Sequence, residues 1–138
     1  MATISLEPLA TAVMTVLQNA ALQAATPGGW WSGMPRNATY PCGWYELSLE
    51  NAGGLGTHQM RTVDLRLHVF TQAQGVLEGQ RIAALAEALF TDQPLTLSGV
   101  TMCDAVVYDD TEVLPPIEML GLPVVEVVSF FHFFVEES

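Results

Sequence analysis

The feature that most limits how this chain can fold lies between Gln59 and Asp92, where an alternating strand runs almost directly into an amphipathic helix. From Met60 to Phe70, Val63, Leu65, Leu67 and Val69 fall on one side and Thr62, Asp64, Arg66 and His68 on the other. That period of two marks a half-buried strand. From Gln74 to Phe90 the apolar residues Val76, Leu77, Ile82, Leu85, Ala86 and Leu89 recur at spacings of three and four, which gives a helix a single stripe to lay on a sheet. A strand feeding the helix that covers it implies a layered fold, and 138 residues is the size of one domain with a core of its own.

The flanking segments extend the same plan. Ser5 is placed to cap a first helix, with Pro8 in its first turn, where a missing amide donor costs little. Leu6, Leu9, Val13, Val16, Leu17, Ala20 and Ala24 form its apolar stripe, and Thr26-Pro27-Gly28-Gly29 ends it. Trp30 to Pro41 has no sustained period and reads as an extended connector. Its Trp30-Trp31 pair suits either an aromatic patch at a subunit contact or packing over the end of the sheet. Cys42 to Glu50 alternates again and is expected to pair with Met60 to Phe70 across the glycine-rich loop Asn51 to His58. That loop joins two strands instead of opening a helix, so it is no phosphate cradle.

Beyond the second helix, Leu95 to Leu97 reads as a short strand with a turn at Ser98-Gly99, and Val100 to Tyr108 as another strand. Asp109, Asp110 and Glu112 read as a solvated turn leading into a proline-containing loop, Val113 to Pro123. The last strand, Val124 to Val135, is apolar on both sides, with Val125, Val127, Phe131, Phe133 and Val135 on one and Val124, Val128, Phe130 and Phe134 on the other. Both faces then need cover, from the chain itself or from a neighbour. The expected class is α+β: a mostly antiparallel sheet of four or five strands with two helices packed on one face.

Charge narrows the function. Fifteen acidic residues stand against four arginines and no lysine, a formal net charge of −11, so a basic face to neutralise phosphates is missing. An acidic surface can instead let a duplex slide past without sticking, and it also serves plain solubility. Half the residues are hydrophobic and only 14% charged, a balance that favours apolar contact with partners. Cys42 and Cys103 lack metal-ligand spacing and sit in apolar strands, as reduced, buried cysteines do. Neither a membrane span nor a secretory signal is expected.

No catalytic motif is present. His58, His68 and His132 are dispersed, the acidic cluster lacks the ordered spacing of a calcium loop, and no cofactor or metal is expected. Thr62, Asp64, Arg66 and His68 share one strand face, a polar group that could hold a general base or could form exposed or intersubunit ion pairs. The expectation is a chain that is not an enzyme.

Several strings together resemble a known family. The N-terminal helix, the connector from Trp31-Ser32-Gly33-Met34-Pro35 to Tyr40-Pro41, the strand Met60 to Phe70, and the helix ending Ala88-Leu89-Phe90 before Pro94-Leu95-Thr96-Leu97-Ser98-Gly99 resemble the small tail-terminator, or tail-completion, neck proteins of long-tailed bacteriophages and gene transfer particles. The resemblance covers most of the chain. The doubled tryptophan, Cys42 after Pro41 and the long loop Val113 to Pro123 depart from it.

The resemblance implies a non-enzymatic virion protein, assembled in the host cytoplasm. It would form a ring, usually a hexamer, that caps the tail tube and joins it to the head-tail connector or a stopper protein. DNA would pass through the lumen without specific binding. Trp30, Trp31, Arg61, Asp64, Arg66, Phe130, Phe131 and Phe133 are the candidate residues for contacts between copies or with partners. The loops Asn51 to His58 and Asp109 to Pro123 are expected to order on the tube or connector. Alternatives are another neck component, such as a head-completion or stopper protein, and a small α+β ligand-binding domain or enzyme with a pocket around Asp64, Arg66 and His68.

Overall fold

The computed structural model describes residues 6–33, 37–51, 59–72, 76–95, 102–119 and 122–137. Its centre is the strand expected from the alternation, β3 (Gln59–Thr71), which is flanked along its length by β2 (Cys42–Asn51) and β7 (Leu122–Glu137). The antiparallel register sets Leu65 opposite Leu47 and Phe131, Val63 opposite Leu49 and Phe133, and Val69 opposite Gly43 and Val127. Three alternating patterns thus share one apolar face.

That face is covered by α1 (Leu6–Leu17), α2 (Ala20–Ala25) and α3 (Leu77–Phe90). Leu9, Val13 and Leu17 of α1, Leu22 of α2, and Ile82, Ala83, Ala86 and Phe90 of α3 join Leu65, Leu67, Val127, Phe131 and Phe133 in a single core. The class is α+β with the helices on one side of the sheet, as expected.

Details differ. The first helical stripe is interrupted, because the Asn19 side chain accepts from the backbone N–H groups of Ala21 (3.0 Å) and Leu22 (3.2 Å) and so starts a new helix. Asparagine competes with helical backbone bonds in this way. The Leu17 carbonyl left at the break accepts from Gln23 Nε2 at 2.8 Å. The proposed cap Ser5, residues 34–36 of the connector, the loop tip 52–58, residues 73–75 at the expected start of the second helix, the segment 96–101 and residues 120–121 lie outside the described residues.

The sheet has more strands than expected and is mixed. The connector begins with a short strand, β1 (Trp30–Trp31), parallel to β2 at Gly43 and Trp44. The segment read as one strand from Val100 divides into β4 (Met102–Cys103), a bridge between Ala105 and Pro94, and β5 (Val107–Val113). The acidic residues Asp109, Asp110 and Glu112 stand in β5, not in a turn. The supposed loop Val113 to Pro123 contains β6 (Ile117–Met119), which forms a hairpin with the start of β7. β4, β5 and β6 all pair with β7, whose length gathers pieces that are too short or too polar to be recognised singly.

A second cluster lies on the opposite face at one end of the sheet, where Cys42, Phe70 and Val124 are covered by Ala38 and Tyr40 of the connector. Burial pushes the Cys42 thiol up to about 11. The thiolate is the reactive form, so in a Cys103→Ser background Cys42 is expected to resist a thiol reagent at pH 8 and to react at once on denaturation. The raised value also favours the folded state only while the thiol is neutral. Stability is therefore expected to decline as pH rises from the unfolded thiol's range through about 11, more steeply than in Cys42→Ala.

Candidate functional site

The face of the sheet away from the helices is where charged and aromatic side chains collect. The register that buries the odd-numbered residues of β2, β3 and β7 turns Trp44, Glu46, Asp64, Arg66, His68, Glu126, Phe130 and His132 to this side. His68 is its centre. Its Nδ1 lies 2.7 Å from Glu126 Oε2 and its Nε2 2.5 Å from Glu46 Oε1, and the Trp44 ring stacks on it with centroids 4.1 Å apart and planes 8° apart. A charged imidazole can donate from both nitrogens, and the three residues then brace β2, β3 and β7 across the sheet. With both nitrogens engaged and one ring face covered, His68 is poorly placed to relay a proton to a substrate.

Next along the face, the Arg66 guanidinium lies 5.5 Å from the centroid of the Phe130 ring, within cation–π range. His132 Nδ1 meets both carboxylate oxygens of Asp109 at 2.8 Å, and its ring sits edge-on to Phe134. Glu46, Leu47, Ser48, Asp64 and Arg66 line a cleft of about 170 Å³. Pockets for small molecules are usually about 300–1,000 Å³, so this one suits an inserted side chain better than a substrate. Among the described residues, no three His, Cys, Asp or Glu side chains converge as a metal ion would need.

The residues singled out from sequence separate into two groups. Trp30 is buried and donates from Nε1 to Thr26 Oγ1 at 3.1 Å, and Phe131 and Phe133 are enclosed in the chain's own core. Trp31 is 49% exposed. Asp64, Arg66 and Phe130 come together on the outer face, whereas Arg61 lies on the helix side of the sheet, opposite Val135. Sequence reasoning missed Glu46 and Glu126 as partners of His68. Each stands one or two positions from an alternating residue, but only the strand register brings the three together.

A second polar group lies on the helix side. The Glu87 carboxylate of α3 accepts from Ser129 Oγ at 2.8 Å and from Thr111 Oγ1, and Thr111 also meets the Tyr108 hydroxyl. Ser129 is only 1% exposed. Glu87→Leu leaves these hydroxyls without their acceptor and is expected to cost about 1–3 kcal/mol in urea denaturation. Adding Ser129→Ala to that variant should recover part of the loss, because the orphaned group is then removed as well.

This arrangement of helices on a β2-β3-β7 sheet is found in solved structures. A chain in the virion of a native gene transfer agent (GTA) particle superposes with a TM-score of 0.78 at 18% identity, covering 98% of this chain and 99% of that one. The two share one fold. A second solved chain, 16% identical over 96% of both chains, superposes with a TM-score of 0.60. No family model and no curated protein matches the sequence. At these identities the likeness is one of fold, reached through different side chains.

Proposed function

We propose that this chain is a structural virion protein of a phage-like or gene-transfer particle, and that it serves as the tail terminator. Copies would form a closed ring, a hexamer, that caps the tail tube and joins it to the head-tail connector while DNA passes through the lumen. The observation that carries the reading is the nearly end-to-end likeness, in both directions, to a chain of the GTA virion. The likeness extends over the whole of both chains and is not confined to a shared layer.

The chemistry agrees. The outer face has a cleft too small for most substrates and a histidine held on both nitrogens, while its aromatic and charged side chains suit contact with other proteins. A net charge of −11 in a ring lumen would let DNA leave without phosphate contacts. Partners would be further copies of the chain, the tail tube protein and the connector or stopper, and the protein would assemble in the host cytoplasm before residing in the virion neck.

The test is the mass of the purified protein over a concentration series, then negative-stain imaging of the largest species alone and after mixing with tail tubes. A ring with an open centre that binds tube ends supports the reading. A ring that ignores tubes and binds the connector points to a stopper or head-completion role. A protein that stays monomeric even with tubes and connectors present overturns the assembly role.

A further inference from the structure

One edge of the sheet is left open beside two grooves. β1 pairs with β2 only at Gly43 and Trp44, so among the described residues nothing pairs with the outer edge of β2 from Tyr45 to Asn51. Gly43 N–H donates outward, to the Gly29 carbonyl at 3.0 Å. Because backbone groups alternate in direction along a strand, the N–H and C=O groups of Tyr45, Leu47 and Leu49 point to that open edge.

The grooves lie on the two faces of the sheet at this edge. On the helix side, Glu7, Ala10, Thr11, Met14 and Thr15 of α1, Gln18 just after it and Tyr45 line a groove of about 370 Å³ whose exposed lining is mostly apolar, and Leu47 and Leu49 remain only partly buried against the core. On the outer side is the cleft of Glu46, Ser48, Asp64 and Arg66, where two carboxylates face one guanidinium. Side chains of an added strand alternate between faces, so one set would enter the apolar groove and the other the acidic cleft.

We infer that the β2 edge accepts an extended segment of another protein as an added strand, apolar at alternate positions and carrying arginine or lysine between them. Backbone hydrogen bonds to Tyr45, Leu47 and Leu49 supply general affinity, and the two grooves supply selectivity, as in other cases of strand addition. The occupant is a different protein and not a second copy of this chain. The other long edge of the sheet, β5, bears Asp109, Asp110 and Glu112, which would set like charges against Glu46 and Asp64, and the chain has no lysine to offer. Carboxylates and the irregularity between Tyr108 and Asp110 blunt the β5 edge in the way that exposed edges are commonly protected. This inference stands whether or not the chain forms a ring.

The experiment uses the full chain with three synthetic peptides of about nine residues, enough to span the open edge. One alternates valine with arginine and threonine, the second has aspartate in place of arginine, and the third has proline at its centre. The expected result is saturable binding of the first alone, with slowed amide exchange at Tyr45, Leu47 and Leu49.

Asp64→Asn is expected to weaken the basic peptide about tenfold, a larger effect than for an exposed ion pair because the cleft partly excludes water. Leu47→Pro removes an outward N–H without touching the β3 ladder and is expected to abolish binding. Asp64→Asn keeps the test decisive if that variant is unstable. Equal binding of basic and acidic peptides, no binding of any, protection at other residues, or edge-dependent self-association would each overturn the inference.

Discussion

Phe131→Ala is expected to destabilise the protein by about 3–5 kcal/mol, the range for removing a large buried aromatic. Phe131 is fully enclosed, lies opposite Leu65, and packs at 5.7 Å between centroids on both Phe90 of α3 and Tyr108 of β5. It therefore joins three elements: the central sheet, its covering helix and the edge strand. A backbone held by pairing on both sides of β7 cannot collapse into the void, so the cavity term should persist. Urea denaturation followed by circular dichroism would show a lower midpoint with an unchanged slope. Phe134→Ala, on the half-open outer face, is the control. Its expected loss is smaller, under about 2 kcal/mol, because that ring is only partly buried. Similar losses at both positions would mean that the helix-side core does not dominate stability.

Gly28→Ala should be comparably harmful for a different reason. A Cβ at Gly28 would lie 1.7 Å from the Thr39 carbonyl oxygen. That neighbour is backbone, so no rotamer change relieves the overlap. The connector would have to lift, breaking the bond from Gly28 N–H to the Pro41 carbonyl at 3.0 Å and uncovering Cys42. The expected cost is about 3 kcal/mol or more, at the upper end for overpacking. Faster reaction of the Cys42 thiol under native conditions would locate the damage. Gly33→Ala is the matched control: nothing lies within 4 Å of the added carbon, and the change should be neutral or stabilise by up to about 1 kcal/mol by restricting the unfolded chain. If both alanines are tolerated, the connector is not held where the structure puts it.

These two positions also show how unevenly the fold can be read from the chain. Phe131 was legible as one of a row of alternating apolar residues. Gly28 was legible only as part of a helix terminator, since the close approach of Thr39 depends on the connector's return path over the second face. Trp30 and Trp31 are adjacent and chemically identical, yet one is buried and the other half exposed. Their order in the chain cannot distinguish them, because the difference comes from which of the two turns toward Thr26 and the core.

The outer face follows the same logic. That Asp64, Arg66 and His68 share a side was visible from alternation. That Glu46 and Glu126 hold His68, or that Arg66 lies over Phe130, was not, since a shift of one residue in the register of β2 or β7 would turn different side chains to that face. The Glu87 group was equally hidden, because a glutamate at the edge of a helical stripe looks solvent-facing until Thr111 and Ser129 are brought beneath it.

By itself the sequence determined the strand at Met60 to Phe70, the helix that follows it, the pairing partner before it, the acidic balance and the α+β class, because hydrophobic periodicity and turn chemistry act within a few residues. Tertiary structure alone decided the break at Asn19, the assembly of β4, β5 and β6 along β7, the brace around His68 and the open edge of β2. Those features depend on contacts between residues far apart in the chain, where small, separately weak preferences are settled by which backbone groups and side chains the packed core leaves available.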